Sequence, residues 1–445
     1  MTSTDATRLA FAELRRSLDE RSLSSLSLTQ SVLARIDRLD GELRTYVDLD
    51  RDGALAQAEK ADDELDAGTG RGPLHGIPIG IKESFGVEGR RFGGGGYPFR
   101  SLRAERDAAV VARAREGGAV ILGMHAMSEN AMGTMVVDGE RATGRNPRHP
   151  DFAPGGSSSG TAAATAAGLC VVGLGADGGG SVRNPAAACG VVGFKPTEHR
   201  LPKEGCHPWT VTMLTAGTFA ADVEGAARAF DVLAATSSPL GRAEPPCLGV
   251  VGASDLGQLD DEVGAAMSEA TESFRAAGAT ILDVPPIDLA VGDAWLSRMR
   301  EFAHAHALPL MTSGEGYSEG MRQMIEGFAS VPTDAYVASF AAADRLRVEV
   351  DAALEDCDVL LLPANPWPAV RWEDWAGPET FDWYRFSWPF NLSWHPGITV
   401  PWTLARNGLP ISFQLIGRCD QDEGLLGVAA WCERQSEFDR APVPA

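Results

Sequence analysis

Short apolar runs alternate with longer helical patterns along most of this chain, and that alternation is the strongest constraint on its fold. Six runs are predicted to form strands: IPIGIK (77–82), AVILGM (119–124), CLGVVGAS (247–254), TILDVP (280–285), DVLLLPA (358–364) and ISFQLIG (411–417). Helical periodicity fills segments between them, for example 107–118 and 264–279. Strands that alternate with helices in this way predict an α/β sheet covered by helices.

The region before the first of these strands predicts two helices. Apolar side chains fall on one helical face at Val32, Leu33, Ile36 and Leu39. Thr29 is the predicted N-cap of this helix, and a second helix is predicted over 52–67. Further on, 288–347 has a mostly helical pattern, and 237–246 (SSPLGRAEPP) is the best candidate for a linker between two parts of one architecture.

The charge and the cysteines limit the classes of partner and compartment. The 445 residues carry a formal net charge of −22, which repels phosphate backbones, so no nucleic acid is expected as a direct partner. Seven cysteines, odd in number and without a CxxC pair, indicate reduced thiols and a cytoplasmic location. Neither a secretory signal nor a membrane-spanning segment is expected from the apolar stretches.

The most informative segment is 154–196, where two turns rich in glycine and serine flank an Ala-rich helix and a buried strand. The second turn, 177–181, presents successive backbone N–H groups that suit an anion or a developing oxyanion. From the residues alone, simple turns or a phosphate cradle remain alternatives to catalysis. Neither GxGxxG nor GxxxxGK[ST] fits, and no GxSxG elbow surrounds either serine, which argues against nucleotide binding and the α/β-hydrolase fold.

This segment closely resembles the defining block of the amidase signature family. The family pairs a GGSSSG turn with a GGS turn and continues through Arg, Pro and GxKP, which here lie at 155–160, 179–181, 183, 185 and 193–196. Three further blocks resemble the family in the same order: GPLHGIPIGIKESFGV (72–87), GAVILGMHAMSENAMG (118–133) and NGLPISFQLIGRCDQDEGLLGVAAWCE (407–433). The resemblance therefore covers nearly the whole chain.

The resemblance implies one large α/β domain over 1–445, with a central twisted mixed sheet covered by helices on both faces. Within it, N-terminal helices would occupy 1–70 and the signature core with the catalytic triad 72–235. A variable helical and Trp-rich region at 285–400 would lie near the substrate pocket.

The resemblance also implies a catalytic triad. Ser181 would be the nucleophile, Ser157 the proton relay, joined to Gly156 by a cis peptide bond, and Lys82 the base, kept neutral by burial. The oxyanion hole is expected from backbone N–H groups of Gly178, Gly179, Gly180 and Ser181 in some combination. No metal or cofactor is required, and His304 and His306 lack the further ligands of a metal site.

Substrate contacts are less sharply specified. Seven tryptophans crowd the C-terminal part, and core packing and a pocket wall are equally open for Trp367, Trp372, Trp375, Trp383, Trp388, Trp394 and Trp402. Arg183 is a candidate for binding a substrate carboxylate, against the alternative of a structural ion pair. The full set of candidate substrate-binding residues is Met132, Gly133, Arg183, Phe386, Trp388 and Trp394.

Three functions are compatible with these patterns. The main expectation is a free-standing hydrolase of small carboxamides, favouring bulky apolar or aromatic substrates and extending to esters or carbamates. Its partners would be the small amide and water, with a homodimer left open. The alternative is the glutamine-hydrolysing A subunit of a tRNA-dependent amidotransferase. A non-catalytic scaffold on the same fold is the third, disfavoured because all three triad positions carry the required residue types.

Overall fold

Within the residues that the structure describes, one continuous sheet of eleven strands organises the molecule. This computed structural model describes residues 6–95, 102–132, 144–207, 209–242, 244–312, 317–375 and 378–443. The strands are β1 (Tyr46–Leu49), β2 (Pro78–Lys82), β3 (Val120–His125), β4 (Val172–Asp177), β5 (Val192–Lys195), β6 (Thr215–Ala220), β7 (Cys247–Val250), β8 (Thr280–Asp283), β9 (Val359–Pro363), β10 (Gly397–Leu404) and β11 (Pro410–Ile416). Their spatial order in the sheet is β1-β3-β2-β4-β6-β5-β10-β11-β9-β7-β8.

The sheet mixes both strand orientations. Strand β2 pairs in parallel with β3 and β4, and β7 pairs in parallel with β8 and β9. The central strands β4, β6, β5, β10, β11 and β9 are joined by antiparallel pairs. This arrangement confirms the prediction of a single α/β fold around a large mixed sheet.

Helices cover the sheet. They are α1 (Phe11–Asp19), α2 (Ser25–Leu43), α3 (Arg51–Asp66), α4 (Ala109–Glu116), α5 (Ser159–Ala166), α6 (Arg183–Cys189), α7 (Val223–Ala234), α8 (Ala253–Leu256), α9 (Asp261–Ala276), α10 (Gly292–Arg298), α11 (Arg300–Thr312), α12 (Glu319–Ala329), α13 (Thr333–Ala353), α14 (Pro378–Trp383), α15 (Pro389–Leu392) and α16 (Asp422–Glu433). Within the described ranges, none of them combines the length and apolar character needed to cross a bilayer.

The first of the two predicted N-terminal helices, α2, begins earlier than the sequence predicted. Ser24, not Thr29, is the N-cap of α2, because its hydroxyl accepts a hydrogen bond from the backbone N–H of Ser27 at 3.0 Å. Thr29 lies inside the helix and is buried. The second helix agrees closely with its prediction, since α3 runs from Arg51 to Asp66 behind an N-cap at Asp50.

All seven cysteines are free thiols: Cys170, Cys189, Cys206, Cys247, Cys357, Cys419 and Cys432. Burial raises the pKa of every one of these thiols above its ordinary value. At neutral pH the sulfur atoms are therefore protonated.

Candidate active site

The strand β2 delivers Lys82 into the interior. All five residues of β2 are buried, because β3 and β4 flank it within the sheet and helices α2 and α5 pack against it. The Lys82 side chain is fully buried, and its Nζ lies 2.7 Å from Ser157 Oγ and 3.4 Å from the carbonyl oxygen of Ala176. Burial lowers the pKa of the Lys82 amine to about 7, although the nearby Asp177 carboxylate opposes part of this shift. An amine with this pKa is substantially neutral at physiological pH.

The first glycine–serine turn places Ser157 against this amine. The peptide bond between Gly156 and Ser157 is cis, as the family resemblance implied. Ser157 is fully buried, and its carbonyl oxygen accepts a hydrogen bond from the backbone N–H of Ser128 at 3.1 Å. Helix α5 starts two residues later, at Ser159.

The second turn is built around the carboxylate of Asp177. Its Oδ1 accepts a hydrogen bond from the Gly180 N–H at 2.8 Å, and its Oδ2 accepts one from the Val182 N–H at 3.1 Å. Arg183 pairs with the same carboxylate, with Nη2 3.1 Å from Oδ1. Burial raises the pKa of this carboxyl, but Arg183 outweighs that effect and holds the pKa well below its usual range. Asp177 is thus a buried anion that fixes the backbone leading to Ser181.

The predicted oxyanion donors differ in whether their N–H groups are already engaged in a hydrogen bond. The Gly180 N–H is occupied by Asp177, so Gly180 is not available as a donor, contrary to the expectation. Among the described residues, no hydrogen bond engages the N–H groups of Gly178, Gly179 or Ser181. Gly178 must be glycine for a steric reason, because a Cβ there would lie 1.8 Å from the Trp209 ring.

Ser181 opens into a cavity of about 460 Å³. Its side chain is 8 % exposed, whereas those of Lys82 and Ser157 are fully buried. The wall is mainly aromatic and aliphatic and is formed by Ala131, Met132, Gly179, Trp209, Trp295, Leu296, Gly320, Gln323, Met324, Phe328, Phe381, Tyr384 and Trp388. None of these described lining residues is charged.

Two of the predicted substrate-binding residues, Met132 and Trp388, line this cavity. Gly133 lies outside the described residues. Phe386 does not reach the cavity but lines a neighbouring one of about 560 Å³, which shares Phe381 and Trp388 as a wall.

The remaining two candidates, Arg183 and Trp394, are structural. The Arg183 guanidinium is fully engaged in the interior, since beyond Asp177 it donates to the Asn391 side chain at 2.7 Å and to the Ser387 carbonyl at 2.9 Å. No face of it is left for a substrate carboxylate, because only 1 % of its side chain is exposed. Trp394 donates its indole N–H to the carbonyl of Thr212 at 3.0 Å, and the Arg347 guanidinium covers its ring at 4.3 Å.

The tryptophan cluster divides between core and cavity. Trp383 is fully buried and donates to the carbonyl of Trp367, and Trp402 packs edge-to-face against Phe274. Of the seven predicted candidates, only Trp388 lines the cavity among the described residues.

Five aromatic residues of the wall were missed by the sequence: Trp209, Trp295, Phe328, Phe381 and Tyr384. Trp295, Phe328, Phe381 and Tyr384 lie inside the helical and Trp-rich region at 285–400, whose expected proximity to the pocket was the available signal. Trp209 lies outside every block that resembles the family. No local pattern distinguishes it from a core residue.

Comparison with known proteins gives a consistent family. The Amidase family model matches residues 27–426. A solved structure described as a crystal structure of amidase superposes with a TM-score of 0.88 at 31% identity, over 96% of this chain and 100% of the other. The native peptide amidase from Stenotrophomonas maltophilia gives 0.81 at 27% identity, over 97% and 98%.

The curated relatives have a more specific name than the family. The A subunit of the glutamyl-tRNA(Gln) amidotransferase of Syntrophus aciditrophicus is 30% identical, over 98% of this chain and 99% of the relative. Further curated relatives of similar identity have the same name.

These relatives overturn two expectations. The sequence favoured a free-standing hydrolase of small carboxamides over an amidotransferase A subunit. That prediction is wrong, because the matching curated relatives are amidotransferase A subunits. The expectation of a small amide and water as the only partners, without nucleic acid, is wrong for the same reason, since the relatives' name refers to a tRNA-dependent complex. The acidic net charge was the basis of the prediction that excluded nucleic acid. Net charge bears on direct contact with nucleic acid and does not show whether a chain belongs to an assembly.

Membership of the family rests on both the sequence match and the structural superposition, which cover nearly all of the chain. The chain belongs to the amidase signature family and is a hydrolase that acts on C–N amide bonds.

Proposed function

We propose that this chain hydrolyses the side-chain amide of glutamine as the A subunit of a tRNA-dependent amidotransferase in the cytoplasm. The observation that carries this proposal is 30% identity to a protein of that name over 98% of the chain. The buried Lys82–Ser157 pair behind the cavity that holds Ser181 supports the amide chemistry. The seven free thiols agree with a reducing compartment.

In the first half-reaction, the Ser181 hydroxyl attacks the amide carbon. Its proton passes to Ser157, whose own proton passes to the neutral amine of Lys82, because a serine hydroxyl is a weak nucleophile until a base removes its proton. The same path then returns the proton to the amide nitrogen, so that ammonia leaves and an acyl-enzyme remains. Water hydrolyses the acyl-enzyme along the same route and releases the carboxylic acid.

The developing oxyanion would be held by the N–H groups of Gly179 and Ser181, both of which line the cavity. One such donor is typically worth about 2.7–4 kcal/mol of transition-state stabilisation. Asp177 contributes indirectly, because it fixes the turn through Gly180 and Val182.

The cavity makes glutamine turnover the decisive measurement. Its described lining is mainly apolar and carries no charged side chain, whereas glutamine carries an α-ammonium and an α-carboxylate. Charged partners for these two groups must come from outside the described lining residues, and a neighbouring chain of the complex can supply them.

The test is glutaminase activity of the purified chain, alone and with the other amidotransferase subunits of the same organism. We expect glutamate and ammonia to appear in equal amounts, faster in the complex, with Ser181→Ala inactive in both samples. Benzamide serves as the uncharged comparison substrate. Hydrolysis of benzamide without turnover of glutamine, even in the complex, would overturn the proposal.

A further inference from the structure

A single phenol holds both backbone polar groups of Gly156, the residue that precedes Ser157. The Tyr384 hydroxyl donates to the Gly156 carbonyl oxygen at 2.8 Å and accepts from the Gly156 N–H at 3.1 Å. The carbonyl belongs to the cis peptide that joins Gly156 to Ser157, and the N–H belongs to the peptide before it. The phenol oxygen therefore bridges two successive peptide planes.

From this contact we propose that Tyr384 is a positioning residue that orients Ser157 for proton transfer between Ser181 and Lys82. The inference rests on the relay proposed above. Rotation of the Gly156–Ser157 peptide plane would move the Ser157 hydroxyl away from Lys82 Nζ, which it meets at 2.7 Å. Tyr384 opposes that rotation by holding the carbonyl of this plane.

The phenol is suited to this task because it stays protonated. Tyr384 is 9 % exposed, and burial raises the pKa of its hydroxyl above the ordinary value. A neutral hydroxyl donates one hydrogen bond and accepts another, which is what the C=O and N–H of Gly156 require. Within the described chain, no other hydrogen bond engages these two backbone groups.

Tyr384 also connects the relay to the wall of the cavity. It lines the cavity together with Phe381 and Trp388, whose rings meet edge-to-face at 4.2 Å. Its N–H donates to the Phe381 carbonyl at 3.2 Å, and its carbonyl accepts from the Ser387 N–H at 2.9 Å. The segment that forms part of the cavity wall thus also holds the backbone of the proton relay.

The experiment measures labelling of Ser181 by an alkyl fluorophosphonate, which needs an activated serine but no knowledge of the natural substrate. We expect Tyr384→Phe to lower the labelling rate by roughly 10²-fold, the size of effect that small misplacements of catalytic groups produce. The matched control is Tyr336→Phe, which removes a phenol hydrogen bond to Glu301 and should label like the wild type. Labelling of Tyr384→Phe at the wild-type rate would overturn the inference.

A double-mutant cycle separates positioning from general loosening of the fold. If Tyr384 acts through Ser157, Tyr384→Phe should have no further effect in a Ser157→Ala background. An equal slowing in both backgrounds would show that the phenol acts by another route and would overturn the inference. All variants are compared below the onset of their unfolding by circular dichroism, so that lost stability does not enter the rates.

A wild-type chain that the fluorophosphonate does not label at Ser181 would instead refute the proposed serine mechanism itself. Ser181→Ala identifies the labelled residue.

Discussion

Lys82 shows how burial alone can change what a side chain does. An exposed lysine has a pKa near 10.4 and is charged at neutral pH. Here desolvation lowers the pKa to about 7, and the amine lies within hydrogen-bond distance of a serine hydroxyl. The result is a base that can take a proton without histidine.

The pH dependence follows from the direction of this shift. Below pH 7 the Lys82 amine binds a proton and can no longer accept one, so kcat/KM should fall roughly tenfold per pH unit between pH 6 and pH 5. The measurement is the initial rate of amide hydrolysis from pH 5 to pH 9, with circular dichroism to show that the chain stays folded. A rate that is constant down to pH 5 would contradict a neutral lysine base.

Asp177 gives a second prediction at this scale. Asp177→Asn should lower the free energy of unfolding by about 3–5 kcal/mol, because it leaves the buried Arg183 charge without its partner. It should also abolish turnover, since the turn that carries Ser181 loses its anchor. The matched control is Asp19→Asn, which removes the exposed carboxylate of an ion pair with the half-buried Arg15 and should cost about 0–1 kcal/mol. Urea unfolding of both variants provides the comparison, and equal losses would contradict the assignment.

At the scale of elements, the turn after β4 depends on the close approach of an aromatic ring. Gly178→Ala would place a Cβ 1.8 Å from Trp209, so the ring must move and the cavity wall with it. We expect a loss of activity of at least tenfold. Gly264→Ala in α9 is the control, because no atom lies within 4 Å of its added Cβ and the helix should gain about 0.8–1 kcal/mol. Wild-type activity in Gly178→Ala would contradict this prediction, because it would show that the cavity wall at Trp209 can move without loss of activity.

The strands that the sequence predicted and those it missed differ in side-chain composition. Strands β2, β3, β9 and β11 read as apolar runs because every residue in them is buried. Strand β6 is equally buried but consists of TAGTFA, whose small residues carry little strand signal. Strand β10 contains Pro401 at a position where its register shifts, and proline ordinarily argues against an interior strand.

The residues of the candidate site were predictable only where the sequence carries motifs that resemble those of the family. Lys82 lies in the strand β2, and Ser157 and Ser181 lie in the two turns of 154–196; the resemblance, not the local pattern, predicted that they form one site. The occupied N–H of Gly180 could not be foreseen, because it depends on which way the Asp177 carboxylate turns. Trp209 and Trp295 reach the cavity through tertiary packing, which leaves no periodic signal in the sequence.

At the scale of the whole molecule, the continuous sheet predicts cooperative unfolding. Leu122→Ala in β3 and Leu361→Ala in β9 remove buried side chains from distant parts of the sheet and should each cost about 2–5 kcal/mol. Because one sheet joins both sites, each variant should shift a single calorimetric transition to lower temperature. Two transitions, of which each variant shifts only one, would show that the two ends of the sheet unfold independently.

The raised pKa values of the native thiols, four of them buried and three partly buried, have a practical consequence for labelling the protein. Because maleimides and iodoacetamides react with thiolates, protonated native sulfur atoms compete poorly for them at neutral pH. A cysteine introduced on an exposed helix face should therefore take up a dye well ahead of the native seven. Distances to a partner protein could then be followed by fluorescence without first building a cysteine-free background.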